Sequence, residues 1–193
     1  MKVFYDTEFY ERGSRAAIEF ISIGMVSEDG DEYYAISSSV SWWAVYKHEW
    51  LRENVLTQLP GKVKNFGNGG GTFEPDESSG LFLPPAQIAQ EVSEFCYPGR
   101  KGGKQAELWA YYSGYDHVVL AQLFGSMADL PKHMPMYTHD LQQAADMLIP
   151  GWKMPQQDGA EHHALADARW VRDRYMELVK WADDRDITGV VQL

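Results

Sequence analysis

The order of apolar and polar positions along the chain predicts a sheet that begins with three consecutive strands. An apolar run at residues 3–5 ends in Asp6, as expected of a buried strand with polar groups at its tip. Residues 17–26, rich in Ile and Phe, predict a second strand. The turn signal at 28–31 leads into a third strand at 32–36, so the first part of the chain should form an antiparallel meander.

The rest of the chain shows helical spacing interrupted by one further strand. The predicted helices cover residues 41–56, 84–97, 118–125, 138–148 and 163–182, and a fourth strand covers 107–112. Residues 66–80 predict a flexible Gly-rich loop by composition. Strands first, then alternating helices and strands, indicate one α/β domain over residues 1–193 with a mixed central sheet flanked by helices.

The composition indicates the cellular compartment in which the protein is expected. The chain has 193 residues and a single cysteine, Cys96, so no intrachain disulfide and no Cys-based zinc site is expected. Asp6 and Glu8 interrupt the early apolar stretch, which argues against a signal peptide. No apolar run is long enough to span a membrane. We therefore expect a cytoplasmic protein without a membrane partner.

The charge balance restricts how the protein could handle nucleic acid. A formal net charge of −11 argues against coating a long nucleic acid along a basic track. It still allows an enzyme that holds the last few nucleotides of a strand, because bound metal ions would supply the positive charge there.

Carboxylates recur where strands end and helices begin. Asp6 and Glu8 lie two residues apart on a strand, so their side chains share a face and repel each other unless a cation lies between them. An exposed strand end is the alternative, which the apolar run before Asp6 disfavours. Asp116 stands where a helix N-cap is predicted, and capping alone could explain it.

His162 and Asp167 form a third candidate pair. Five residues on one continuous helix would separate them by about 140°, so the pair requires His162 in the loop or first half-turn and Asp167 in the first full turn. His163 is a competing histidine, and composition does not separate the two.

In this order, Asp-x-Glu, Tyr-Asp and His-x4-Asp resemble the three motifs of the DEDDh 3′–5′ exonucleases, which have a ribonuclease H-like fold. Residues 3–9, 108–120 and 162–169 look like the narrower family of polyadenylate-specific 3′-exoribonuclease AS (RNase AS). The broader pattern often carries Asn where this chain has Tyr112. The resemblance implies two Mg²⁺ or Mn²⁺ ions and assigns His162 as general base. The metal ligands that it implies are Asp6, Glu8, Asp116 and Asp167.

The implied substrate is the 3′ end of single-stranded RNA, with adenine-rich tails preferred and nucleoside 5′-monophosphates released. Glu8 is the candidate acceptor for a 2′-OH, Tyr115 and His162 are candidate substrate contacts, and Phe9 either stacks on a base or belongs to the core. A DNA-trimming exonuclease and an inactive nucleic-acid-binding adaptor are the alternatives, and a homodimer stays open. An aromatic stripe could be a stacking platform or packing; it comprises Trp42, Trp43, Tyr46 and Trp50.

Overall fold

A six-stranded mixed sheet forms the centre of the protein, in a computed structural model that describes residues 1–14, 16–97, 99, 105–159 and 161–185. The strands are β1 (Lys2–Tyr10), β2 (Glu19–Ser27), β3 (Glu32–Ser37), β4 (Gly61–Gly67), β5 (Gly70–Pro75), β6 (Phe82–Leu83), β7 (Glu107–Ala110) and β8 (His139–Asp140). Six of them form the sheet in the order β6-β3-β2-β1-β7-β8, and β4 pairs with β5 in a separate hairpin. The meander β1-β2-β3 is antiparallel, while β6, β7 and β8 join in parallel. The predicted mixed sheet is confirmed.

Helices cover both faces of the sheet. They are α1 (Trp42–Lys47), α2 (Glu49–Asn54), α3 (Pro85–Phe95), α4 (Gly114–Leu123), α5 (Leu141–Leu148) and α6 (Ala164–Asp183). The single helix predicted over 41–56 is in fact two. His48 adopts an extended conformation that ends α1, and its Nδ1 accepts a hydrogen bond from the Leu51 backbone and so caps α2. Within the described ranges, no helix combines the length and apolarity needed to cross a membrane.

The prediction of a flexible loop over residues 66–80 was wrong for most of its length, because β5 and a 3₁₀ turn lie there. The glycines have structural roles instead. Gly67 and Gly69 take left-handed backbone angles in the hairpin turn, and a Cβ on Gly71 would lie 2.2 Å from the Tyr46 ring. Phe73, 2% exposed, then anchors the hairpin against α1 and α2.

Alternation along β1 divides the core between the two faces of the sheet. Val3 and Tyr5 point into a cluster with α3 and α4, while Phe4 points to the other face and packs with Tyr175 of α6. Fully burying each such side chain stabilises the fold by about 1.5–3 kcal/mol. Asp6 and Glu8 continue the Phe4 side of the strand, so the core pattern directs both acids towards α6.

Candidate active site

The end of β7 creates the opening in which the first carboxylates lie. β7 pairs with β1 only as far as Phe4, so within the described part of the chain no strand pairs with the following residues of β1 on that side. Asp116 fills the gap, and its Oδ1 accepts hydrogen bonds from the Thr7 backbone N–H at 2.9 Å and the Thr7 hydroxyl at 2.7 Å. A helix residue thereby completes the hydrogen bonding of a strand whose neighbour has ended.

Asp116 is not the N-cap that the sequence predicted. The helix α4 begins two residues earlier, at Gly114, and Ser113 is its N-cap residue. The Ser113 backbone N–H donates to Asp140 at 2.7 Å, which fixes the chain at the helix entry. Asp116 therefore lies in the first turn, where a negative charge also suits the helix dipole.

A glycine on β2 brings the last acid into place. Gly24 pairs with Asp6 across β1 and β2, and a Cβ there would lie 2.2 Å from the Leu165 backbone nitrogen. The first turn of α6 thus rests directly on the sheet. As a result, carboxylate oxygens of Asp6, Glu8 and Asp167 lie within 4.8 Å of one another.

Burial and mutual repulsion raise the pKa values of these acids. Burial, followed by the charges of Asp167 and Asp116, raises the pKa of Glu8 to about 8. Burial is also the main reason that the pKa values of Asp116 and Asp167 rise to about 6. The same two causes raise the pKa of Asp6 well above its usual range, although part of its surface still faces a cavity.

The donor set fits a divalent metal ion. Several buried carboxylates that repel one another are costly to keep charged, and a cation among them would offset that cost. The donors are all oxygens, which hard cations such as Mg²⁺ and Mn²⁺ prefer. Asp116 lies outside the closest set of three, but its charge acts on both Asp6 and Glu8.

The two candidate histidines differ clearly in their surroundings. His162 precedes α6, as predicted, with a left-handed backbone (φ 65°), and is one of the residues that line the cavity. His163 is the N-cap of α6: its Nδ1 accepts from the Ala166 backbone at 3.4 Å, and its ring stacks on Tyr34 with centroids 4.6 Å apart. Burial lowers the pKa of His163. Its contacts are structural, whereas His162 faces the site.

A cavity of about 410 Å³ opens beside the acids, within the range of small-molecule sites. Its wall combines acidic, aromatic and amide side chains. The lining residues are Asp6, Tyr111, Met154, Pro155, Gln156, Gln157, Glu161, His162, Asp167, Trp170 and Val171. The cavity therefore joins the carboxylate cluster to a surface on which a base could stack.

A β-bulge settles the orientation of Phe9. The β1–β2 register shifts between Glu8 and Phe9, which re-aims the side chain at that point. Phe9 is partly exposed and stacks on Tyr115, with ring centroids 5.7 Å apart and an interplanar angle of 9°. Tyr115 is itself half exposed. The pair forms an aromatic surface at the Glu8 end of the site.

The aromatic stripe on α1 and α2 divides into two packed members and two exposed ones. Trp42 packs on Phe73, and Tyr46 is buried in the core. Trp43 and Trp50 remain 57% and 46% exposed. Of these two, Trp50 contacts His162, with ring centroids 4.6 Å apart.

Sequence reasoning missed two residues that shape the site. Gly24 permits the close approach of α6, and a glycine inside a predicted strand is a signal that could have indicated it. Gln157 donates from Nε2 to Asp167 Oδ1 at 2.8 Å. It lies ten residues from its partner in an irregular segment, so no periodicity could have indicated that contact.

Comparisons of sequence with known proteins agree on one family. A family model described as the 3'-5' exoribonuclease Rv2179c-like domain matches residues 76–179. The 3'-5' exoribonuclease Rv2179c of Mycobacterium tuberculosis strain H37Rv is 38% identical over 185 residues, which cover 95% of this chain and 96% of that protein. The 3'-5' exoribonuclease MT2234.1 of strain CDC 1551 matches to the same extent.

Comparison of structure identifies exonuclease I as a neighbour. The E. coli enzyme in complex with a dT13 oligonucleotide superposes with a TM-score of 0.60 at 15% identity, covering 95% of this chain and 42% of that chain. A product-bound exonuclease I gives a TM-score of 0.56 at 16% identity and covers 44% of that chain. This chain thus spans less than half the length of exonuclease I. The likeness shows the fold, and the predicted ribonuclease H-like class is confirmed.

Proposed function

This chain belongs to the family of Rv2179c-like 3'-5' exoribonucleases, and we propose that it removes nucleoside 5′-monophosphates from the 3′ ends of single-stranded RNA, preferring adenine-rich tails. The observation that carries the chemistry is the cluster of three acids, buried Glu8 and partly buried Asp6 and Asp167, of which the last two line the cavity. A module that only binds nucleic acid would have no need for mutually repelling carboxylates.

The acids would hold the metal. Asp6, Glu8 and Asp167 supply the nearest oxygens, and Asp116 is the fourth candidate ligand for a pair of Mg²⁺ or Mn²⁺ ions. Such ions, when bound, polarise the scissile phosphate and acidify a water. The protein's contribution is to keep the carboxylates in position, through Thr7 for Asp116 and through Gln157 for Asp167.

His162 would act as the general base. It lies at the cavity wall next to the acids, outside the helix that carries Asp167. In this position it can accept the proton of the attacking water, a role that typically contributes 10²–10⁴-fold. The contacts of His163 to Ala166 and Tyr34 leave that role to its neighbour.

Aromatic rings on two sides of the acids would hold the strand. Tyr111 and Trp170 line the cavity, and the Phe9–Tyr115 pair lies at the Glu8 end. Stacking on such rings is worth about 1–3 kcal/mol per base and requires unpaired bases. Glu8 is the candidate acceptor for a 2′-OH, which would favour RNA over DNA. Two arguments support the adenine preference. The motifs resemble those of RNase AS, and adenine stacks strongly on aromatic rings.

Initial rates on 5′-labelled poly(A), poly(U), poly(C) and poly(dA) of equal length, at fixed salt, test the proposal. With Mg²⁺ or Mn²⁺ we expect ladders that shorten from the 3′ end, and the rate should be highest on poly(A). In EDTA we expect no cleavage. Equal rates on all four would refute the base and sugar preferences but leave the nuclease assignment intact. Faster cleavage of poly(dA) would favour a DNA exonuclease, and immediate release of the 5′ label as a mononucleotide, without a ladder, would overturn the polarity.

A further inference from the structure

We propose that Trp50 is a positioning residue for His162, an inference that rests on the proposed role of His162 as general base. The two rings meet edge to face, with centroids 4.6 Å apart and an interplanar angle of 71°. The contact joins α2, which belongs to the core packed around the hairpin, to the segment that precedes α6. It therefore links the base to a part of the fold that carries none of the four acids.

The His162 ring needs such a support. Its backbone has a left-handed φ of 65° and lies outside regular structure, so no helix restricts its side chain. Among the described residues, no side-chain hydrogen bond holds its ring, in contrast to His163 and to His117, which contacts the Thr138 hydroxyl. A general base must be within hydrogen-bond reach of its proton and correctly oriented, so a ring free to rotate would lose efficiency.

Trp50 is well suited to restrain that ring. It lies in the first turn of α2, directly before Leu51, which is 4% exposed in the core. Its own carbonyl accepts a hydrogen bond from the Asn54 side chain at 2.9 Å. The helix backbone is thus fixed at both its cap and its core face, which places the indole beside the imidazole.

The competing explanation for an exposed tryptophan is direct stacking on RNA. Trp43 provides a matched control, because it is also an exposed tryptophan on the adjacent helix α1 and is covered by the Lys47 ammonium at 3.6 Å. Its ring contact is with that lysine and not with His162. A loss of generic aromatic surface would affect both positions, whereas a positioning role is specific to Trp50.

A double-mutant cycle measured by steady-state kinetics tests the proposal. Trp50→Ala should lower kcat by up to about 10²-fold with KM nearly unchanged, since misplacement of a catalytic group acts on the chemical step. Trp50→Phe should restore most of the rate, and Trp43→Ala should leave kcat near wild type. In a His162→Ala background, Trp50→Ala should have almost no further effect, because the group that it positions is gone.

A second measurement does not depend on activity. The imidazole NMR signals of His162, assigned by their absence in His162→Ala, should shift in Trp50→Ala and stay in place in Trp43→Ala. A higher KM with unchanged kcat in Trp50→Ala, additive effects in the cycle, or unshifted His162 signals would each overturn the inference. Inactivity of the wild-type protein on every strand would instead refute the proposed function, and the NMR comparison would still test the contact.

Discussion

The acidic floor of the site (Asp6, Glu8, Asp116 and Asp167) and its aromatic rim (Phe9, Trp50, Tyr115 and His162) are built in different ways. Strand register, a helix start and a glycine contact fix the floor, in which Glu8 and Asp116 are buried and Asp6 and Asp167 partly buried. The rim is held mainly by ring contacts between partly exposed side chains. Damage to the floor should therefore abolish function, whereas damage to the rim should reduce it by degrees.

Asp6→Asn should have the largest effect on catalysis and remove activity to background. An amide lacks the negative charge of the carboxylate that is proposed to hold the metal. The same change should slightly raise the Tm of the metal-free protein, because the Asp116, Glu8 and Asp167 charges that act on Asp6 would lose one repulsive partner. RNA ladders and thermal unfolding in EDTA measure the two effects. Undiminished cleavage by the variant would rule out the metal mechanism.

Gly24→Ala should damage the floor without touching an acid. The new Cβ would lie 2.2 Å and 2.3 Å from backbone atoms of Leu165, so α6 must shift away from the sheet. Overpacking of this kind costs about 1–3 kcal/mol, and more where backbone must move. The displacement should separate Asp167 from Asp6, so metal affinity and activity should fall together.

Gly114→Ala is the control for that change. Gly114 opens α4, and a Cβ there would meet nothing within 4 Å. Alanine also favours a helix over glycine by up to about 1 kcal/mol. We expect this variant to keep its rate and to keep or slightly raise its Tm. If the Gly24→Ala variant had the same Tm and rate as the Gly114→Ala variant, the close packing of α6 on β2 would not be what assembles the floor.

The two neighbouring histidines should separate catalysis from stability. His162→Ala should lower turnover by about 10²–10⁴-fold with little loss of stability or metal binding. His163→Ala removes the α6 cap and the stack on Tyr34, so it should cost stability, about 1 kcal/mol for the cap alone, and much less turnover. Parallel measurements of rate and Tm on both variants show which histidine acts in catalysis and which stabilises the fold. A larger rate loss in His163→Ala would reverse the assignment.

The spacing within the floor's motifs was predictable from sequence because it follows from regular structure, and the resemblance to the DEDDh exonucleases joined the motifs. Alternation on a strand placed Asp6 and Glu8 on one face, and the helix period required Asp167 to lie in the first turn of α6. The rim was not predictable in the same way, since the Trp50–His162 contact joins residues more than a hundred positions apart. Periodicity describes one element at a time and carries no information about such contacts. The prediction of a flexible loop over residues 66–80 was wrong for a related reason. The glycine content indicated a flexible backbone, whereas the packing of Tyr46 requires glycine at position 71.

The smallest effect that we predict is a pH dependence of stability in the metal-free protein. It tests whether repulsion among the carboxylates of the floor affects folding. The folded protein raises the pKa of Glu8 from 4.5 to about 8, so between these values it binds more protons than the unfolded chain. Stability from this group is therefore present at low pH and declines as pH rises towards 8. Asp116 and Asp167, with pKa values raised to about 6, act in the same direction at lower pH.

In EDTA the Tm should consequently fall between about pH 6 and pH 8, with Glu8 and Asp6 both contributing to the change in that window. Glu8→Gln cannot ionise there, so its Tm should vary less with pH and exceed that of the wild type at the upper end. Saturating Mg²⁺ should also make the wild-type Tm depend less on pH. A bound cation stabilises the charged carboxylates, which repel one another in the metal-free protein. A wild-type Tm in EDTA that rises over this window, or a Glu8→Gln curve parallel to it, would show that repulsion at Glu8 does not control the stability of the floor.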